Sequence, residues 1–177
     1  IPPEPSDLGW MLQTHDSLVR PELLDRILGM TSLEPNLALL QQVARSAHCD
    51  QELMLTLAAH PGLYEDEILK LHETMREVLV NDLRSEHPKL RMKEIIEAMV
   101  RRSPRAQWGK SELALNLFRG LLHPNQKLSN EVKRELIALG DEFLPEEIFL
   151  RLAQDADPDI LNEVSKKSSN IYVRCTL

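Results

Sequence analysis

Aromatic residues make up only 4% of this 177-residue chain. A core of the size that such a length permits must therefore be filled by leucine, isoleucine, valine, methionine and alanine. Glycine is also scarce, with six residues, and the eleven prolines fall mostly where helices would begin or end. A sandwich or barrel needs more turn residues than this, so the balance favours helices. The two cysteines, Cys49 and Cys175, provide no disulfide framework. The expectation is free thiols and a cytoplasmic or other reducing intracellular location. No apolar run approaches the roughly 18 to 20 residues that a membrane-spanning helix requires. No basic n-region precedes an apolar h-region, so no secretion signal is read here. The chain starts at Ile1 and ends in the apolar NIYVRCTL, which is consistent with a fragment or a processed chain.

The formal net charge is -7, unevenly placed. Residues 1–83 hold five Lys/Arg against fourteen Asp/Glu, residues 84–110 hold eight against three, and residues 111–177 hold eight against eleven. An acidic front and a basic centre suit a protein partner of mixed charge.

The pattern that orders the chain lies at 144–168, LPEEIFLRLAQDADPDILNEVSKKS. Leu144, Ile148 and Leu152 recur every four residues, and Phe149 and Leu150 widen that face into a helix with a narrow polar side. Pro145 suits the first turn, and Glu146 and Glu147 place negative charge at the helix N-terminus. Asp157 then stands as a cap before Pro158, with Ile160, Leu161 and Val164 as the apolar side of a return helix.

Earlier segments follow the same grammar. Ser6 is expected to cap a first helix to about Leu18, covering Leu8, Trp10, Met11 and Leu12. Pro21 and Pro35 open segments whose apolar sets are Leu23, Leu24, Ile27 and Leu28, then Leu37, Leu39, Leu40 and Val43. In QELMLTLAAH, residues 51–60, Leu53, Met54 and Leu57 are expected inside, and Pro61-Gly62 stops the helix. From Glu65 to Leu83, the face is Ile68, Leu71, Met75, Val78, Leu79 and Leu83. Pro88 separates this from a basic helix burying Ile95, Ile96, Met99 and Val100. Ser111 is a cap candidate before SELALNLFRGLL, which His123-Pro124 ends or redirects. Ser129 starts a helix with Val132, Leu136 and Leu139 on one face, and Gly140 is its stop.

Residues 51–60 and 146–155 share Glu52/Glu147, Leu55/Leu150, Leu57/Leu152 and Ala58/Ala153 at one offset of 95 residues. With the helix, acidic proline turn and return helix of LRLAQDADPDILNEV, these windows resemble the HEAT, armadillo and leucine-rich-variant class of alpha solenoids. The resemblance is clear over two windows and loose over 20–168. It implies an extended surface that binds proteins, and it carries no invariant catalytic residues.

Chemical motifs fail individually. His48, Cys49 and Asp50 are the nearest mixed ligand cluster, but three neighbours do not surround a zinc ion without help from elsewhere. His72-Glu73 begins a zinc-protease signature, yet Arg76 stands where the second histidine belongs. Glu65, Asp66 and Glu67 read as a solvated first turn. The order of Ser46, His48 and Asp50 does not place their side chains in a proton-relay geometry, and no CxxC motif supports thiol catalysis. There is no glycine-rich phosphate loop, so no catalytic residue, metal or cofactor is assigned.

Arg84, Lys89, Arg91, Lys93, Arg101, Arg102, Arg105 and Lys110 make a basic stretch that suits solvated surface or a protein contact. Contact with nucleic acid or acidic lipid is disfavoured by the net negative charge and by the lack of a defined motif. The sequence therefore predicts an all-α fold, either an irregular helical-repeat solenoid or a compact multi-helix bundle, of about eight to ten helices. Its expected parts are a capping segment at 1–19, a helical-repeat-like domain at 20–168, and a C-terminal extension or start of a further element at 169–177. The expected role is a noncatalytic protein-protein interaction scaffold with Arg91, Arg101, Arg102, Arg105 and Trp108 as candidate contacts. The alternatives are a helical enzyme assembling His72, Asp66 and Glu73 in space, and a structural oligomerisation module. Oligomeric state is open.

Overall fold

Pairs of apolar residues four positions apart set the helical faces. Helix α1, Leu37–Arg45, buries Leu39, Leu40, Val43 and Ala44. Helix α2, Gln51–Ala58, buries Leu53, Met54, Leu57 and Ala58, and α1 packs against it. Spacings of one, four and five residues give each helix a covered face wider than a coiled-coil seam. Asp50 caps α2, its carboxylate accepting the Leu53 N–H at 2.9 Å.

The computed structural model describes residues 24, 26, 28, 29, 37–106, 127–169 and 171–176. Among the described residues the fold is all-α, with eight α-helices, one 3-10 turn and no strand. No helix there is long and apolar enough to cross a membrane. The expected helix at 6–18, the Pro21 and Pro35 starts, the Ser111 segment, His123-Pro124 and Trp108 lie outside the described residues, whereas Leu24 and Leu28 are buried as expected.

The chain divides into two compact units, Ile1–Leu79 with Glu97–Ala106, and Val80–Ile96 with Gln107–Leu177. Helix α3, Glu65–Arg84, and helix α4, Met92–Arg102, contribute residues to both. Along α3 the buried set includes Ile68, Leu71, Met75, Leu79, Val80 and Leu83. It differs from the expected face at one point, because Val78 is half-buried while Val80 is buried. Burial continues round the helix through His72 and Arg76, so the covered side is broader than the leucine spacing alone indicates. Helix α4 buries Ile95, Ile96 and Met99 and leaves Val100 half-covered.

In the second unit, α5 is Asn130–Phe143, α6 is Glu146–Leu152, α7 is Pro158–Lys167 and α8 is Ile171–Thr176. Helix α7 packs on α5 and α6, and α8 packs on α6. Ser129 caps α5 by accepting the Val132 N–H, and Asp157 caps α7 by accepting the Asp159 N–H, with Pro158 in the first turn. Gly140 interrupts α5 with φ at 71°, a backbone state that disfavours any residue with a Cβ. Pro145 is the residue that precedes α6 rather than part of its first turn. Its ring lacks the side-chain oxygen a cap requires, and Glu146 and Glu147 supply negative charge there instead.

Candidate protein-contact surface

The turn between α2 and α3 is held by short-range bonds. Pro61 cannot continue the helical ladder. The His60 N–H donates instead to Leu57 O, and the Gly62 N–H donates to His60 Nδ1 at 3.3 Å. Tyr64 follows as the residue before α3. Its carbonyl accepts from the Glu67 and Ile68 N–H groups, and its own N–H donates to Glu67 Oε2 at 3.0 Å. The second bond is half of a capping box, in which the third helical residue reaches back to the start. The backbone of Tyr64 is thus fixed on both sides, while its side chain is the exposed large apolar group of the described residues, at 83%.

Helix α4 is tied to this turn at two points. Arg102 donates from Nε to His60 O and from Nη2 to Leu63 O, both at 3.2 Å. These bonds give two turn carbonyls a charged donor. Ser103, fully buried, donates its hydroxyl to Glu65 Oε1. Tyr64 is the residue before Glu65, and Arg101 and Arg105 flank the Arg102-Ser103 pair. Arg101 and Arg105 are both exposed, and Arg101 is 3.9 Å from Glu97. That loose pair leaves the guanidinium mostly in water, where such contacts contribute little.

The five residues singled out in sequence therefore have different placements. Arg101 and Arg105 are exposed cations that neighbour Arg102 and Ser103 in the chain. Arg102 is half-buried and committed to the two carbonyls. Arg91 is exposed and pairs with Glu94 at 3.2 Å, but it belongs to the other unit. Trp108 lies outside the described residues. Tyr64 was not among the expected contacts, although an aromatic between Pro61-Gly62 and the acidic Glu65-Asp66-Glu67 turn is a usable signal for an exposed position.

Beneath the turn lie two buried histidines, His60 at 3% exposure and His72 at 1%. Burial, then the Arg76 cation, holds the His72 pKa down at about 4, opposed by a hydrogen bond to the Ala58 backbone. Burial, then Arg102, also lowers that of His60. His60 Nε2 and His72 Nδ1 are buried without a hydrogen-bond partner among the described groups. Asp66 and Glu73 are exposed, so they do not join His72 in one buried constellation.

The 46–50 segment is likewise separated by its bonds. The Ser46 hydroxyl oxygen accepts the His48 backbone N–H, and Asp50 is occupied by Leu53. Burial, then Asp50, pushes the Cys49 thiol up to about 12, which keeps it protonated and a poor nucleophile. Among the described residues no group of three His, Cys, Asp or Glu side chains is placed to hold a metal ion.

The second unit contains a turn of the same construction. Positions 51–58 and 146–153 match in burial at all but the first residue, so Leu53, Met54, Leu57 and Ala58 correspond to Ile148, Phe149, Leu152 and Ala153. The Asp155 N–H donates to Leu152 O as the His60 N–H does to Leu57 O. Asp155 Oδ1 accepts the Asp157 N–H at 2.9 Å, the place His60 Nδ1 takes toward Gly62. The partner differs, because Asp155 also pairs with Lys133 on α5 at 2.7 Å. That hydrogen bond is the main cause holding the Asp155 carboxyl below its ordinary range.

Comparison of the chain with protein-family models, with curated proteins and with solved structures finds no match.

Proposed function

We propose that this chain is a noncatalytic protein-protein interaction scaffold, built as a helical repeat of the HEAT, armadillo or leucine-rich-variant kind over 20–168. The repeat reading is supported by the two windows, which agree in burial and in the bonds that close the following turn as well as in sequence. The observation that carries the binding role is Tyr64, a residue 83% exposed on a backbone bonded on both sides. A large side chain presented on fixed backbone loses little conformational freedom when a partner covers it. Arg101 and Arg105 flank the residues that tie α4 to this turn, so the matching partner presents an apolar pocket rimmed by carboxylates. The basic patch sits in an otherwise acidic chain, which orients such a partner by attraction at one place and repulsion elsewhere. A cytoplasmic or other reducing compartment suits the free thiols.

The test compares affinity capture from source-cell extract by the parent, by Tyr64→Ala and by Arg101→Glu/Arg105→Glu. Both variants alter exposed groups and are expected to unfold at the parent temperature within a few degrees. A specific partner recovered by the parent is expected to fall at least tenfold with each variant. Equal recovery by all three would remove Tyr64 and the two arginines from the binding surface.

A further inference from the structure

The two equivalent turns differ in the group that closes them, a neutral imidazole in one unit and an ion-paired carboxylate in the other. We infer that the α2–α3 turn is an acid-released latch, in which protonation of buried His60 and His72 breaks the Arg102 tie and frees the turn from the end of α4. The latch stands whether or not the surface it holds binds a partner.

Its basis is the arrangement of charge in the first unit. His60 lies beside Arg102, whose guanidinium reaches the carbonyl of His60 itself at 3.2 Å. His72 faces Arg76 from its own helix, Arg102 from α4 and the Ala58 carbonyl from α2. Glu65 is the carboxylate that acts on His72, and it already accepts the Ser103 hydroxyl. Glu73 acts on Arg76 from the exposed side of α3. Across from α3, Gln41 of α1 donates to Thr74 at 3.0 Å, a neutral contact. A proton on either imidazole therefore adds a buried cation next to an arginine, with no additional carboxylate to absorb it among these contacts. The cheapest relief is to open the turn and let water reach the imidazoles.

The direction in pH follows from the lowered values. In an open turn, histidine takes up a proton near its ordinary 6.5, whereas closed His72 resists until about 4. The closed state is at full strength above 6.5, weakens as the pH falls from 6.5 toward 4, and changes no further below that through this group. The Asp155 turn has the opposite chemistry. Its carboxyl is held below the ordinary carboxylate value, so its closed state persists through the whole of that window.

Hydrogen exchange on the intact chain at pH 7.5 and 5.0, corrected for the intrinsic effect of pH, reads both turns at once. Protection of the His60, Gly62 and Ile68 amides is expected to fall at least about tenfold at pH 5.0. The Asp155, Asp157 and Leu161 amides are expected to change much less. Retained protection at His60 and Ile68 overturns the latch, and so does equal loss in both turns, which is general acid unfolding. In His72→Gln the loss is expected to shrink markedly, and a loss as large as the parent's also overturns it. If that variant does not fold, NMR titration of the parent decides. A His72 midpoint below 5 is expected, and one at 6 or above overturns the latch.

Discussion

Phe149→Ala is expected to destabilise the second unit by about 3–5 kcal/mol, the range for emptying a buried aromatic site. Phe149 is among the largest fully buried side chains, in a chain with few aromatics to compensate. It sits on α6, seven residues long, which is too short to persist without its neighbours. Helices α5, α7 and α8 all pack on α6, so the cavity would open at a point that three other helices share. Urea unfolding followed by circular dichroism measures the effect through the midpoint. A cost under 1 kcal/mol would mean that Phe149 is not packed as described.

Adjacent arginines are expected to behave oppositely. Arg102→Met removes both charge-assisted bonds to His60 O and Leu63 O and leaves two turn carbonyls without that donor. At about 1.5 kcal/mol for each bond, the first unit is expected to lose about 3 kcal/mol. Arg101→Met, which gives up a mostly solvated pair, is expected to cost less than about 0.5 kcal/mol. Thermal unfolding of the two variants side by side checks the contrast, and equal effects would contradict the assigned role of Arg102. For the same reason, reversing the charge of Arg101 and Arg102 together confounds binding with folding. Arg101 and Arg105 are the appropriate pair.

The helices were legible because their signals are local. Ser129 and Asp157 act as caps within three residues of themselves, and the apolar sets of α1, α2 and α6 repeat at spacings visible in a short window. Gly140 read as a stop because glycine next to a completed face marks a break, and its positive φ is that break. The role of Arg102 was not legible. Its acceptors lie 42 and 39 residues away, and in sequence it is indistinguishable from Arg101. In sequence His72 is part of a failed metal motif, while the surroundings that matter to it, Ala58, Arg76 and Arg102, come from three helices. His60 and Asp155 share a position at the 95-residue offset, but dissimilar side chains conceal a shared backbone role. Tyr64 belongs to no apolar period, and its backbone N–H is held by the Glu67 carboxylate, a bond that periodicity does not encode.

The central claim is that the α2–α3 turn presents a binding surface at Tyr64. Its most direct test is to place a photo-crosslinking amino acid at position 64, and separately at exposed Thr56 on α2, and to irradiate the full chain in source cells. The predicted result is a discrete protein adduct from position 64 that is absent from position 56 and is lost when Arg101→Glu/Arg105→Glu is added. No adduct at 64, or the same adducts at both positions, would contradict the account.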